Sequence, residues 1–368
     1  MNRHETPIIH PSALLPTIPP NHRDDPIMSK AFAFLPFVFL TILCWGNYGV
    51  LMHHGKEYMG DALRPFVGVG FAYFAIAVLV PTAILWIKGE KGNWSTGGIT
   101  LSLLAGAVGA LGALGVILAF SFKAKPLYVM PLVFGGAPVI NTLVTMAMGR
   151  NFEKIKPIFL IGIAMAALGG AGVLFFKPAE APKSTPPVAT TDSQVAVDSA
   201  EVIAPVQTDL NYPMIAFSVA MAVVSWGAYG PVLHKGQMKM GGSRLRPFLC
   251  VGIAYFVIAV AIPLAVLPVL STTGRWNTAG MTWSLAGGAA GAIGALGIIY
   301  AFNFGGKPIF VMPLIFGMAP VMNTVTTLTE NGSWGQIGPK FLAALVVTIA
   351  GAVTVLIFAP KPAAPATK

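Results

Sequence analysis

The chain of 368 residues is 55% hydrophobic and only 10% charged, with apolar runs of about 20 residues, the length a helix needs to cross a hydrocarbon core. That pattern describes a polytopic membrane protein. The formal net charge of +10 does not point to nucleic acid, because Lys and Arg lie in short connections between apolar runs, where cytoplasmic anchoring accounts for them.

In chain order, residues 1–30 are polar and proline-bearing (HPSALLPTIPPNHRDDP) and lack a short apolar core followed by a small-residue cleavage site, so the first apolar run is expected to be retained. Candidate spans follow near 33–53, 65–87, 99–121, 126–148 and 157–176, completing a first unit over 31–177. Residues 178–212, rich in Pro, Ala, Ser, Thr and acidic side chains, are expected to form a flexible linker. A second unit over 213–360 holds spans near 213–234, 247–270, 281–303, 308–329 and 339–359, and 361–368 form a tail. Cys44 and Cys250 fall inside apolar runs at non-matching positions, so they indicate neither a disulfide framework nor a metal site.

The two units repeat one another. CWGNYG at 44–49 matches SWGAYG at 225–230, and RPFVGVGFAYFAIAVLVP from Arg64 matches RPFLCVGIAYFVIAVAIP from Arg246. VMPLVFGGAPVINT at 129–142 returns as VMPLIFGMAPVMNT from Val311, and 13 of 18 positions are identical over 125–142 against 307–324. Shared composition cannot produce that agreement, whereas duplication can. A five-span unit has an odd number of crossings, so its second copy is expected to enter the membrane inverted. With the N-terminus inside, the inside segments carry 15 Lys and Arg and the outside segments 8. The expected fold is all-α, with ten transmembrane helices as two inverted five-helix repeats. Such repeats suit a carrier, because pseudo-symmetric halves can exchange conformations around a central site.

The Trp-Gly pairs in the first span of each unit (Trp45-Gly46, Trp226-Gly227), together with glycine-rich third and eighth spans, resemble the drug/metabolite transporter superfamily, of the EamA-like type. The resemblance covers nearly all of 31–362 apart from the linker. The WGxYG start and regular halves are similar to its sugar-uptake branch. What the resemblance implies is a central cavity lined by spans of both halves, particularly the third, fourth, eighth and ninth.

On a helical wheel from Pro131, the residues Phe134, Gly135, Pro138, Asn141, Thr142 and Thr145 fall within a stripe about 120° wide, with Val133, Ile140, Leu143 and Val144 mostly opposite. Pro131 and Pro138 lack an N–H and free the carbonyls of Leu127 and Phe134, which must find partners in protein or in a water-filled cavity. The ninth span repeats the stripe with Pro313, Phe316, Gly317, Pro320, Asn323, Thr324 and Thr327. Two readings stand: these faces line a cavity, or the prolines shape packing while Asn141 and Asn323 bond a neighbouring helix. Gly106, Gly109, Gly112 and Gly115, repeated as Gly288, Gly291, Gly294 and Gly297, favour close helix approach.

Trp45 and Trp226 lie too deep for an interfacial belt, and Tyr48 and Tyr229 follow three residues on; their rings suit stacking on a sugar or flat heterocycle, with buried packing as the alternative. Tyr73 and Tyr255 carry a weaker version of that argument. None of the 13 acidic residues sits in mid-span, which argues against exchange of protons for a cationic drug, since a buried cation needs a counter-charge. His53 and His234, or Glu330, are the remaining proton candidates. Lys125 and Lys307, at the starts of spans four and nine, are candidate anion sites that in this topology lie on opposite faces.

No metal cluster, activated nucleophile or phosphate loop is visible, so neither enzyme activity nor a cofactor is expected. The expected function is alternating-access transport of a small neutral or zwitterionic polar metabolite, sugar or nucleoside-like before amino acid. The alternatives are a channel, a non-transporting scaffold, or an exporter of amino acids or drug-like solutes. Expected partners are membrane lipids and the solute, not nucleic acid, with a homodimer left open. The expected location is the cell membrane, the inner one in a bacterium, with both termini cytoplasmic.

Overall fold

The computed structural model describes residues 32–122, 124, 126–149, 155–176, 211–270, 272–330 and 332–358. The expected tails and the linker through residue 210 lie outside them. The described residues form ten helices and no strand: α1 Leu35–Met59, α2 Leu63–Ile87, α3 Thr96–Ser121, α4 Pro126–Gly149, α5 Pro157–Phe175, α6 Tyr212–Lys239, α7 Leu245–Val266, α8 Thr278–Asn303, α9 Pro308–Glu330 and α10 Pro339–Phe358. Eight of them are long and apolar enough to cross a membrane, and α5 and α10 are shorter apolar helices. Leu168, Phe217, Val346 and Ile357 stay exposed, a surface suited to lipid rather than water. The chain is a multi-pass membrane protein.

Local chemistry sets the helix ends. α4, α5, α9 and α10 begin with Pro, whose missing N–H costs nothing in a first turn. Asn211 and Asn277 cap α6 and α8, accepting from Met214 N at 3.2 Å and Gly280 N at 3.0 Å. Gly60, at φ 76°, closes α1 through a left-handed conformation that suits glycine. α2 and α7 each contain a widened π segment, Phe74–Leu79 and Val257–Ala261, just before Pro81 and Pro263. Proline's missing N–H interrupts the ordinary ladder there, and a π turn absorbs the interruption.

Helices pack mainly across the halves. α1 runs antiparallel to α8, with Thr41 at Gly297, Trp45 at Gly294 and Gly55 at Ser284. It runs parallel to α9, with Phe34 against Phe310, Gly46 against Met322, and His54 near Glu330. α6 repeats this with the other half. It runs antiparallel to α3, with Ala222 at Gly115, Trp226 at Gly112 and Gly236 at Ser102, and parallel to α4, with Val223 at Gly136 and Gly227 at Ile140. The glycines permit these approaches: a Cβ added to Gly112 would sit 2.1 Å from the Trp226 ring, and one on Gly294 would sit 2.4 Å from Trp45. α5 and α10 pack on each other.

Candidate functional site

Aromatic rings from both halves fill the middle of the bundle. Tyr73 of α2 and Tyr255 of α7 stack with centroids 3.8 Å apart and planes 1° from parallel. Trp45 packs on Tyr229 and Phe316 at 6.1 and 6.2 Å, and Phe134 joins Phe316 to Trp226 at 6.3 and 6.4 Å. Both indoles spend their N–H on backbone: Trp45 Nε1 donates to Gly291 O at 3.2 Å and Trp226 Nε1 to Gly109 O at 3.1 Å. Tyr229 is buried with an unpartnered hydroxyl, and Tyr48 is half-buried.

The stripe on α4 and α9 turns largely inward. Phe134, Pro138, Asn141 and Thr142 are buried, as are Pro313, Phe316, Pro320 and Thr324, whereas Leu143 is exposed. Pro131 lies within α4. Several of these polar groups hold helices: Asn141 Nδ2 donates to Pro308 O at 2.9 Å, and Asn323 Nδ2 to Gly46 O at 3.0 Å. The hydroxyls of Thr142, Thr324 and Thr327 return to their own helices, on Pro138 O, Pro320 O and Asn323 O. Asn141 keeps Oδ1 free, and Thr145 Oγ1 is buried without a partner. The pair Asn47–Thr326, with Thr326 Oγ1 on Asn47 Oδ1 at 2.6 Å, escapes the sequence argument because neither residue lies on a wheel stripe considered there.

The two equivalent histidines meet different surroundings. His53 is exposed beside Glu57 at 3.4 Å, whereas His234 packs edge-on to Phe302 with Nδ1 buried and unpartnered. Across the halves it is His54, not His53, that approaches Glu330, at 3.7 Å, with its ring 4.8 Å from that of Trp283. Lys307 is half-buried just before α9, and Lys125 lies outside the described residues.

Each end of the bundle carries an arginine clamp built from matching positions. At one end Arg64 pairs with Asp61, donates to Thr272 Oγ1 at 3.0 Å and lies over the Trp276 ring at 5.7 Å. At the other, Arg246 donates to Glu90 O at 3.2 Å and lies over Trp94 at 5.6 Å. Here the acid comes from the opposite half. Glu90 accepts from Ser243 Oγ at 2.5 Å, Arg244 N at 2.9 Å and Leu245 N at 3.1 Å, so it caps α7, where a helix N-terminus favours negative charge. Burial pushes the Glu90 carboxyl up, but the hydrogen bonds from Ser243, Arg244 and Leu245 outweigh it and hold the group below its ordinary 4.5. The sequence signal for the clamps was the repeated Arg-Pro with a Trp in each matching loop, Trp94 and Trp276.

A peripheral groove of about 320 Å³ runs between α5 and α10, lined by residues that include Leu168, Gly172, Phe176, Lys340 and Val347. Its lining is almost wholly apolar. Among the described residues no group of three or more His, Cys, Asp or Glu is placed to hold a metal ion.

A crystal structure of another protein has the same fold, with a TM-score of 0.59 at 16% identity, over 89% of this chain and 97% of that one. No family model matches the chain, and no curated protein does.

Proposed function

We propose that the protein is a secondary transporter that carries a small neutral or zwitterionic polar metabolite, sugar or nucleoside-like, across the cell membrane by alternating access. The observation that carries this reading is reciprocal packing: Trp45 sits on Gly291 as Trp226 sits on Gly109. Repeats that pack reciprocally can exchange conformations, which is how inverted-repeat carriers pass between two related arrangements. The helix directions support a second unit inverted relative to the first, since α1 is antiparallel to α8 and parallel to α9 while α6 is antiparallel to α3 and parallel to α4. The excess of Lys and Arg in alternate loops agrees, with both termini cytoplasmic. The resemblance to EamA-like drug/metabolite transporters points the same way.

The clamps fit such a cycle. Arg64 ties the first turn of α2 to the α7–α8 loop, and Arg246 ties the first turn of α7 to the α2–α3 loop, so rocking of one half against the other would open one clamp and keep its counterpart. Trp45 and Tyr229, tilted at 6.1 Å, supply aromatic surface for a sugar or base, while Tyr73 and Tyr255 stack on each other beside them. No catalytic step or cofactor enters the reading.

Reconstituted vesicles provide the test. Saturable uptake with counterflow is the expected result, and non-saturating conductance would favour a channel. Cysteine labelling that placed loops 88–98 and 271–280 on one side would overturn the inverted topology.

A further inference from the structure

Helices α2 and α7 cross through residues that the duplication makes equivalent. Tyr73 stacks on Tyr255 at 3.8 Å, and Phe74 packs on Phe256 at 4.6 Å. A Cβ added to Gly70 would sit 3.0 Å from the Ala259 Cβ, and one on Gly252 would sit 2.8 Å from the Ala77 Cβ. Gly70, Tyr73, Phe74 and Ala77 are the counterparts of Gly252, Tyr255, Phe256 and Ala259, so the crossing is paired with itself. When two repeats exchange conformations, a contact between equivalent residues maps onto itself. The contact of Arg64 with Thr272 maps instead onto that of Arg246 with Glu90, at the opposite end. The crossing is therefore a contact that both arrangements can share.

Beyond the crossing the two helices change character. Leu63–Tyr73 buries eight of its 11 residues and Leu245–Phe256 seven of its 12. Past the π turns, Val80–Ile87 buries only Pro81 and Ile262–Val266 only Pro263. The turns carry bonds that reach five residues back, from Val80 N to Ala75 O and from Ile262 N to Val257 O. Pro81 and Pro263 have no N–H to give the carbonyls of Ala77 and Ala259, four residues back. A segment with few buried contacts, attached through an interrupted ladder, is the cheapest part of a helix to bend. Each such arm leads to one clamp. The α2 arm runs on to Glu90, which holds Arg246 and caps α7, and the α7 arm runs on to Thr272, which accepts from Arg64.

We infer that the α2–α7 crossing is a fixed pivot and that the π turns before Pro81 and Pro263 are two hinges, each letting one arm swing to release one clamp. The α2 hinge serves the Glu90 end and the α7 hinge serves the Arg64 end. Val80, Trp86 and Ile87 of one arm and Ile262 and Leu264 of the other are exposed, so the arms swing against lipid and little protein packing is broken. The inference goes beyond the transport reading, because it concerns which segments move and is read without any solute.

The test measures maleimide labelling of Met240→Cys and of Met59→Cys in full-length protein lacking Cys44 and Cys250. These positions report on the two arms: Asn93 N, after the α2 arm, donates to Met240 O at 3.2 Å, and Arg275 N, after the α7 arm, donates to Met59 O at 2.9 Å. Pro81→Ala gives Ala77 O its donor back and stiffens the α2 arm. It should slow labelling of Met240→Cys about five-fold and leave that of Met59→Cys unchanged, and Pro263→Ala should do the reverse. A second measurement does not depend on the prolines. Gly70→Cys and Ala259→Cys, joined by oxidation in protein carrying Met240→Cys and Arg246→Ala, should leave labelling as fast as without the joined pair. The inference is overturned if each proline variant slows both ends alike, if neither variant changes labelling, or if joining the crossing slows it. Loss of saturable flux with these results intact would sink the transport reading and leave the hinges, and saturable flux with equal slowing at both ends would do the reverse.

Discussion

Trp45 and Gly291 lie 246 residues apart in the chain, yet the indole N–H of one donates to the carbonyl of the other at 3.2 Å. The same bond recurs from Trp226 to Gly109 at 3.1 Å, so one tertiary contact is built twice, each time across the halves. Replacing either Trp by Phe should keep most of the ring and lose the bond, lowering stability by about 1–3 kcal/mol. Thermal unfolding in detergent should show similar losses for both variants. An effect confined to one of them would refute their equivalence.

The glycine that receives the ring is equally exacting. Gly112→Ala would place its Cβ 2.1 Å from Trp226 Cδ1, forcing the indole or α3 to move, at a cost of about 1–3 kcal/mol. Gly335→Ala, where a Cβ meets nothing within 4 Å, is the matched control and should unfold at the wild-type temperature.

Glu90 makes a pH-dependent contribution with a defined sign. Its carboxyl is held below 4.5 in the folded protein by the bonds to Ser243, Arg244 and Leu245, despite burial, so its stabilisation is complete above 4.5 and is lost as pH falls through the lowered value. Glu90→Gln should therefore be less stable than wild type at neutral pH by about 1–3 kcal/mol, with the gap closing in acid. Denaturation of both proteins across that range checks this, and a gap that widened in acid would contradict it.

The clamps should act on opposite ends. Met59 and Met240 are buried at matching positions near Arg64 and Arg246. In a background lacking Cys44 and Cys250, Met240→Cys should label slowly. Adding Arg246→Ala should accelerate that labelling about ten-fold, an opening worth 1.4 kcal/mol, while Met59→Cys should label as before. The reverse is expected for Arg64→Ala. Equal acceleration at both ends would mean that the arginines stabilise the bundle generally.

Asn323→Leu should cost about 1–3 kcal/mol, because it leaves the Gly46 carbonyl without its side-chain donor and unseats α9 from α1. Double replacement of Asn323 and Trp45 should depart from additivity if the α1 contacts act as one unit.

The helices were legible because apolar length and proline or asparagine punctuation are local properties: the helices lie where the apolar runs were counted, eight of them long and apolar enough to cross a membrane, and Pro126, Pro157, Pro308 and Pro339 open four. The Trp-Gly pairs and glycine stripes were legible as repeats, though not their partners. His54, rather than the equivalent pair His53 and His234, faces Glu330, because a helix end rotates neighbouring residues onto different faces and only the position of α9 selects one of them.

The sequence by itself determined the membrane class, the duplication and which helix faces are polar, since hydropathy and a period of 3.6 residues depend only on near neighbours. The tertiary structure decided what those faces do. It put Asn141 and Asn323 on different carbonyls, took Glu90 across to cap the helix of the other half, and buried the Asn141 Oδ1, Tyr229 hydroxyl and His234 Nδ1 without partners while their equivalents in the other copy are not buried so. Duplication hands both halves mostly the same residues at matched positions, Gln237 against Lys56 being an exception. Whether a given atom finds a partner depends on how helices remote in the chain approach it, which no local pattern encodes.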